Sequence, residues 1–297
     1  MSLYEGLPES HCHSEAVEIN CAWHCNLRCV ECSHGSPNLQ VRFSDARGVA
    51  LDLSRLSRWL RVDHVRLLGG EPLLHPQFVG IANAVRSAAI SSRIRLLTNG
   101  LSLAKRREVW DLVDEIHVSV YPSTRAAFAR ALPTVRELVV ATGVEVVVKY
   151  FDYFRVAFRP TSSDDRLTDR IFRTCQIASR WRCLTVEDGY LYRCPQSALH
   201  ELMEPGSSSG DRLLIESISS LEEVGSWIEG TAPLAACRGC CGSAGALVPH
   251  RQHTARARPV TGVPRSTGVI DESFLGELEK APWLDNGCVV AEEVIRR

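Results

Sequence analysis

The sequence lacks a long apolar run, a large excess of charge of one sign and a recognisable leading targeting segment. No apolar stretch approaches the roughly 20 residues that a membrane-spanning helix needs, so we expect no membrane association. The formal net charge of −1 predicts no bulk attraction to nucleic acid. Residues 1–6 lack the basic and apolar regions of a signal peptide, so we expect the chain in the cytoplasm.

Cysteine, in contrast, is abundant. The chain has 12 cysteines in 297 residues, while its 45% hydrophobic and 23% charged residues are ordinary for a globular protein. A cytoplasmic compartment keeps thiols reduced, so cysteines there favour metal binding or catalysis over disulfides.

Three cysteines, Cys25, Cys29 and Cys32, lie in one short segment with the spacing CxxxCxxC. Thiolates are soft ligands that suit iron–sulfur clusters, and three of them leave the fourth iron of a [4Fe–4S] cluster open to a small molecule. Zinc is the alternative, but it usually takes four protein ligands, and His24 or His34 would have to complete the set.

The pattern of apolar residues predicts an α/β fold. Short apolar runs predict strands at residues 16–20, 64–68, 93–97, 115–121 and 145–150. Helical periodicity predicts helices at residues 50–60, 76–89, 103–113 and 124–142, with Pro133 a break or a fresh start. Strands that alternate with helices indicate a parallel sheet. About six strands before residue 170 are too few for a closed eight-stranded barrel, so we predict a partial (β/α)6 barrel.

The candidate site residues follow this architecture. In parallel α/β folds the chemistry lies at the carboxyl ends of the strands. Five residues fall at or just beyond predicted strand ends: Cys25, Gly69, Asn99, Ser119 and Lys149. The sequence therefore predicts one site at this edge of the sheet.

The CxxxCxxC segment and the motif Gly69-Gly70-Glu71-Pro72 together resemble the signature of radical SAM enzymes. That resemblance implies a [4Fe–4S] cluster on Cys25, Cys29 and Cys32, with S-adenosylmethionine (SAM) bound beside it. It assigns SAM binding to Gly69, Gly70, Glu71, Asn99, Ser119 and Lys149. One position departs from the family: Glu31 stands where an aromatic residue is usual, so adenine recognition must differ in detail.

A second cysteine set follows residue 170. Cys175, Gly189 and Cys194 form C-x13-G-x4-C, and Cys237 and Cys240 form a later CxxC. This arrangement resembles the twitch domain, a shortened SPASM domain that holds one auxiliary [4Fe–4S] cluster on four cysteines. A zinc ribbon with the same four ligands is the alternative.

Ligand identity within this second set stays open at two positions. Cys183 could replace Cys175, and Cys241 could replace Cys240.

Cys183 is not required by the C-x13-G-x4-C spacing, so it is a candidate hydrogen-atom donor to a substrate radical. Twitch proteins with one auxiliary cluster resemble aminoglycoside-biosynthesis enzymes, and a spare thiol favours an epimerase of the hygromycin or neomycin type. The alternatives are a dehydrogenase with the auxiliary cluster as electron acceptor, and a non-catalytic iron–sulfur or zinc protein. Expected partners are an aminoglycoside-type small molecule and an electron donor such as flavodoxin or ferredoxin.

We accordingly divide the chain into regions. They are a loose leader (1–14), a radical SAM core (15–170), a twitch domain (171–250) and a C-terminal extension (251–297). Two basic stretches near the last boundary, residues 249–253 and 256–258, are expected to be solvated loops.

Overall fold

The computed structural model describes residues 11–254, 269–281 and 283–297. The strands are β1 (Cys12–Ala22), β2 (Leu60–Gly69), β3 (Ile94–Thr98), β4 (Glu115–Val120), β5 (Glu145–Phe151), β6 (Tyr153–Arg155), β7 (Cys183–Glu187), β8 (Tyr190–Tyr192), β9 (Arg212–Leu214), β10 (Leu247–Pro249) and β11 (Val289–Ile295). The helices are α1 (Ala46–Leu56), α2 (Phe78–Ala88), α3 (Arg125–Thr142), α4 (Asp165–Thr174), α5 (Pro195–Met203), α6 (Leu221–Ile228) and α7 (Glu272–Lys280).

The main sheet has the order β11-β5-β4-β3-β2-β1-β7-β8-β9. From β5 across to β7, every neighbouring pair is parallel, which confirms the predicted α/β class and the partial barrel. β8 and β9 extend the sheet in antiparallel fashion beyond β7, and β11 covers the opposite edge by pairing antiparallel with β5.

Buried apolar side chains hold the helices on this sheet. The carboxylate of Asp45 accepts a hydrogen bond from the Gly48 N–H at 2.8 Å and so caps the start of α1. Leu53 and Leu56 of α1 and Phe78 of α2 have no exposed surface. Full burial of one such side chain contributes about 1.5–3 kcal/mol, so amphipathic packing accounts for these helices.

Among the described residues, six strands precede residue 170, as predicted, but only five of them lie in the main sheet. β1 to β5 lie in the main sheet, whereas β6 pairs with β10 in a separate two-stranded sheet. The sixth parallel position is taken by β7, which comes from the cysteine-rich region and pairs with β1. The main sheet therefore continues across residue 170, where we had placed a domain boundary.

Other predicted bounds also change. β1 begins at Cys12, so residues 12–14 belong to a strand and not to a loose leader, while residues 1–10 lie outside the described residues. α3 runs through Pro133 without a break. The helix predicted at 103–113 is wrong, because only a 3-10 turn at Arg107–Val109 forms there. The described helices include none that is long and apolar enough to cross a bilayer.

Candidate functional site

A cavity of about 390 Å³ lies at the carboxyl ends of the parallel strands, beside α4 and the start of α5. All the cysteines predicted as iron ligands line it: Cys25, Cys29, Cys32, Cys175, Cys194, Cys237 and Cys240. The fold thus brings the two cysteine sets, which are far apart in sequence, to the same cavity.

The loop that carries the first set is tied to the strand ends by hydrogen bonds. The Gly70 N–H donates to the Ala22 carbonyl at 2.7 Å, and the Glu71 N–H donates to the His24 carbonyl at 3.0 Å. The Asn99 side-chain amide donates to Asn26 Oδ1 at 2.7 Å and lies 3.6 Å from the Cys25 sulfur. Asn99 lines the cavity and also supports the cysteine loop.

The two glycines of the GGEP motif line the cavity, and the neighbouring backbone leaves no room for a Cβ at either position. A Cβ on Gly69 would lie 2.3 Å from the Ala22 carbonyl oxygen, and φ at this residue is +129°. A Cβ on Gly70 would lie 2.2 Å from the His24 carbonyl oxygen. The close approach that requires glycine here is to the cysteine loop's own backbone.

Glu71 does not line the cavity. Its side chain has no exposed surface and accepts hydrogen bonds from the N–H of Leu73 at 3.1 Å, the hydroxyl of Thr98 at 2.7 Å and the N–H of Asn99 at 2.8 Å. The carboxylate therefore links the ends of β2 and β3 and sets the position of Asn99. Its geometry is that of a positioning residue.

Ser119 and Lys149 are paired in register on β4 and β5, but only Ser119 lines the cavity. The Lys149 ammonium lies 3.2 Å from the Glu292 carboxylate on β11. Lys149 is therefore a neighbour of Ser119 in the sheet but does not line the cavity with it.

The thiols of the first set fit an iron–sulfur cluster. Burial, followed by the charge of Cys32, raises the pKa of Cys29 to about 12, and burial likewise raises the pKa of Cys25 to about 12. Ligation to iron replaces these protons, because a coordinating thiol is deprotonated by the metal charge.

The second set is also gathered together. Burial and then the charges of Cys175, Cys240 and Cys237 raise the pKa of Cys194 well above its usual range. In the described residues no three His, Cys, Asp or Glu side chains converge tightly enough to hold a single metal ion. Each thiolate ligand of a [4Fe–4S] cluster binds a different iron, so cluster ligands do not have to meet at one point.

Cys183 lies away from the cavity lining. It is 2% exposed at the start of β7, and its sulfur accepts a hydrogen bond from a terminal nitrogen of Arg66 at 3.1 Å. Cys175, and not Cys183, joins Cys194 and the later CxxC. Cys241 is fully buried and does not line the cavity, whereas Cys288 does.

Register shows which face Cys183 occupies. Cys183 and His64 both pair with Ala16, so the three residues form one row on the same face of the sheet. Leu68, four residues after His64, lies on that face and lines the cavity. Cys183 is therefore on the concave, cavity-facing side of the sheet. Four residues along a strand, at about 3.3 Å each, separate its row from that of Leu68, which is about 13 Å.

The polar groups around Cys183 were not predicted from the sequence. Arg66 lies 2.8 Å from Glu15, and both Arg66 and Arg95 donate to His64 Nε2 at 2.9 Å. Arg95 also donates to Glu115 at 2.8 Å. Charged residues at every second position of otherwise apolar strands were the available signal, because such positions share one face.

The stretch 249–253, predicted to be a solvated loop, is exposed at Arg251 and His253 but not at His250 and Gln252. His250 is 8% exposed, and both His250 Nε2 and Gln252 Nε2 lie 3.2 Å from the Cys29 sulfur. The second basic stretch, residues 256–258, lies outside the described residues.

Comparisons with known proteins give short matches in sequence. No family model matches the chain. It is 35% identical over 95 residues to molybdenum cofactor biosynthesis protein 1 of Bos taurus, covering 31% of this chain and 15% of that protein. It is 32% identical over 106 residues to GTP 3′,8-cyclase of Limosilactobacillus fermentum, covering 35% of this chain and 31% of that protein. The chain thus matches less than a third of the length of either relative.

A solved structure matches over a longer range. The crystal structure of BtrN in complex with AdoMet and 2-DOIA aligns with a TM-score of 0.50 at 15% identity, covering 77% of this chain and 94% of that one. At this identity the match shows that the two chains share a fold. The cysteine-rich region after residue 170 is consistent with a twitch domain.

Proposed function

We propose that this chain is a radical SAM epimerase that inverts a carbinol carbon of an aminoglycoside intermediate. One observation carries the proposal: Cys183 and the CxxxCxxC loop lie toward opposite ends of the same concave sheet face. β1 runs six residues from Ala16, the partner of Cys183, to Ala22, close before the loop, which is about 20 Å. The BtrN structure is a complex with AdoMet and 2-DOIA, which supports a small-molecule substrate for this chain.

The cavity residues divide into groups with separate roles. In this proposal Cys25, Cys29 and Cys32 hold the first cluster, and Gly69, Gly70, Asn99 and Ser119 contact SAM. The auxiliary [4Fe–4S] cluster is held by Cys175, Cys194, Cys237 and Cys240. When bound, SAM and the clusters supply a 5′-deoxyadenosyl radical, which removes the carbinol hydrogen, and an electron to restore the donor thiol.

Inversion requires that hydrogen returns from the side opposite to the one from which it left. SAM held by Gly69, Gly70 and Asn99 would lie at the carboxyl end of the sheet, so a hydrogen donor on the opposite side of the substrate would lie toward the amino end. Cys183 is at the amino end. Cys288 is not, because it precedes Val289, which pairs with Phe151 at the carboxyl end of β5.

Cys183 therefore returns the hydrogen atom. Its S–H bond breaks as a new C–H bond forms on the substrate radical, which leaves a thiyl radical on the cysteine. The thiyl takes up one electron and one proton to restore the thiol. The electron ultimately comes from a one-electron donor protein such as flavodoxin or ferredoxin.

The side chains around Cys183 suit a cationic sugar. Glu15, Glu18 and Glu115 place carboxylates on or beside the concave face, where they now pair with Arg66 and Arg95. Carboxylates form charge-assisted hydrogen bonds with ammonium groups, which aminoglycosides carry. A substrate that extends from SAM toward Cys183 would meet these carboxylates.

The test is turnover of anaerobically reconstituted enzyme with an aminoglycoside intermediate in D2O, read by product mass. We expect wild-type product to gain one deuterium, because a thiol proton exchanges with solvent. Cys183→Ala should stop inversion and still form 5′-deoxyadenosine, and Cys288→Ala is the matched control that should keep inversion. Loss of inversion in Cys288→Ala alone would contradict the assignment of Cys183.

A dehydrogenase acting on an amino sugar or aminocyclitol is the second candidate. It is favoured by the position of Cys183, which does not line the cavity and is held by Arg66 at 3.1 Å. The auxiliary cluster would then accept the second electron. In that case the wild-type product lacks two hydrogens, and Cys183→Ala leaves the product unchanged.

A further inference from the structure

The segment after β10 crosses the cysteine loop. The Val30 N–H donates to the Arg251 carbonyl at 2.9 Å, and the His253 N–H donates to the Arg28 carbonyl at 2.8 Å. Cys29 and Gln252 form an antiparallel bridge between these bonds. The backbone pairing brings the side chains on either side of Arg251, those of His250 and Gln252, to the loop.

Both side chains converge on one sulfur. Gln252 Nε2 and His250 Nε2 each lie 3.2 Å from Cys29 Sγ, from positions 223 and 221 residues away in sequence. Gln252 Oε1 accepts the Arg28 N–H at 2.6 Å, which fixes the amide with its nitrogen toward the sulfur. Gln252 is therefore a donor to Cys29.

His250 is held just as firmly. Its ring stacks on Tyr121 with centroids 4.7 Å apart and an interplanar angle of 14°, and Phe154 meets its edge at 4.9 Å. A thiolate can only accept hydrogen bonds, so His250 Nε2 must carry a hydrogen when Cys29 binds iron.

The three thiols of the loop are not equivalent. Cys25 receives the Leu27 N–H at 3.3 Å, a contact within its own loop, and Asn99 at 3.6 Å. Cys29 instead receives two side-chain donors from a segment that follows the second cysteine set. Hydrogen bonds to cluster sulfurs stabilise the added electron and so raise the reduction potential.

We propose that His250 and Gln252 are positioning residues that orient the Cys29 thiolate and raise the reduction potential of the cluster on Cys25, Cys29 and Cys32. The proposal rests on the cluster assignment made for the proposed function. It does not depend on which substrate is bound or on whether Cys183 returns hydrogen.

The test is a redox titration, followed by electron paramagnetic resonance, of anaerobically reconstituted full-length protein. His250→Phe keeps an aromatic ring against Tyr121 but has no N–H, and Gln252→Leu removes the amide. Each should shift the first cluster's midpoint potential to a more negative value, and the double variant should shift it further. Gln40→Leu, the same chemical change at an exposed position, should leave the potential unchanged.

A third variant covers the case in which Gln252→Leu takes up less iron. Gln252→Glu keeps an oxygen for the Arg28 N–H but puts a carboxylate in place of the amide donor, so it should lower the potential more than leucine does. Unchanged potentials in iron-replete His250→Phe and Gln252→Glu would overturn the proposal. A wild-type protein with no iron–sulfur signal after reconstitution would instead overturn the cluster assignment of the proposed function.

Discussion

Replacement of Glu71 should disturb the strand ends beneath the cavity. Its buried carboxylate accepts hydrogen bonds from Leu73, Thr98 and Asn99 at 2.7–3.1 Å. Glu71→Gln keeps the size and shape but turns one oxygen into an NH2 donor. If the amide oxygen keeps the first two partners, the NH2 group faces the Asn99 N–H, and two donors meet without an acceptor.

The magnitude follows from the number of donors left without a partner. A buried donor that loses its acceptor costs about 1–3 kcal/mol, so Glu71→Gln should lower the free energy of unfolding by about that amount. Glu71→Ala leaves three donors without an acceptor and should lower the free energy of unfolding by at least about 3 kcal/mol. Because Asn99 also supports the loop of Cys25, SAM binding should weaken in both variants.

Urea unfolding of the reconstituted protein, followed by circular dichroism, measures the first effect, and equilibrium binding of SAM measures the second. Glu222→Gln makes the same change at an exposed position on α6 and is the control. A Glu71→Gln protein as stable as the Glu222→Gln protein would refute this account of the carboxylate.

Two further predictions concern pH and the cysteine loop. Burial, and then the charges of Arg95 and Arg66, lower the pKa of His64 from 6.5 to about 3. The unfolded chain therefore binds a proton between these pH values that the folded chain does not. The free energy of unfolding should fall as pH drops below 6.5, and less so in His64→Gln, as urea unfolding at pH 4.5 and 7.5 would show. Gly70→Ala should reduce iron uptake at the first site, because the added Cβ would clash with the His24 carbonyl oxygen. Gly80→Ala, whose Cβ would make only an ordinary 3.5 Å contact, is the control and should not. The iron content per chain measures the difference.

The sequence predicted features that depend on neighbours along the chain. The strand and helix alternation and the cysteine spacings are local patterns, and they placed Cys25 and Asn99 at strand ends correctly. The helix predicted at 103–113 does not form. The segment folds into turns, and the Leu103 carbonyl accepts the indole N–H of Trp110, seven residues later, at 3.4 Å.

Pairing between segments far apart in the chain could not be predicted from the sequence. Nothing near Cys183 signals that β7 adds to β1, and that pairing places Cys183 against Arg66 on the concave face, beyond the cavity lining. The bridge between Gln252 and Cys29 likewise joins residues 223 positions apart, and a run of basic residues in one stretch looks solvated until its partner is known.

The pairing of β7 with β1 also has a mechanical consequence. The strand that leads into the first cysteine loop, β1, pairs with β7, and β7 pairs with β8, the strand that precedes Cys194, so a hydrogen-bonded ladder joins the two. A hinge between the two cysteine-bearing regions would have to break that ladder. If the two cysteine sets hold clusters as proposed, this ladder would limit how far the distance between the clusters can change, and with it the distance over which an electron tunnels.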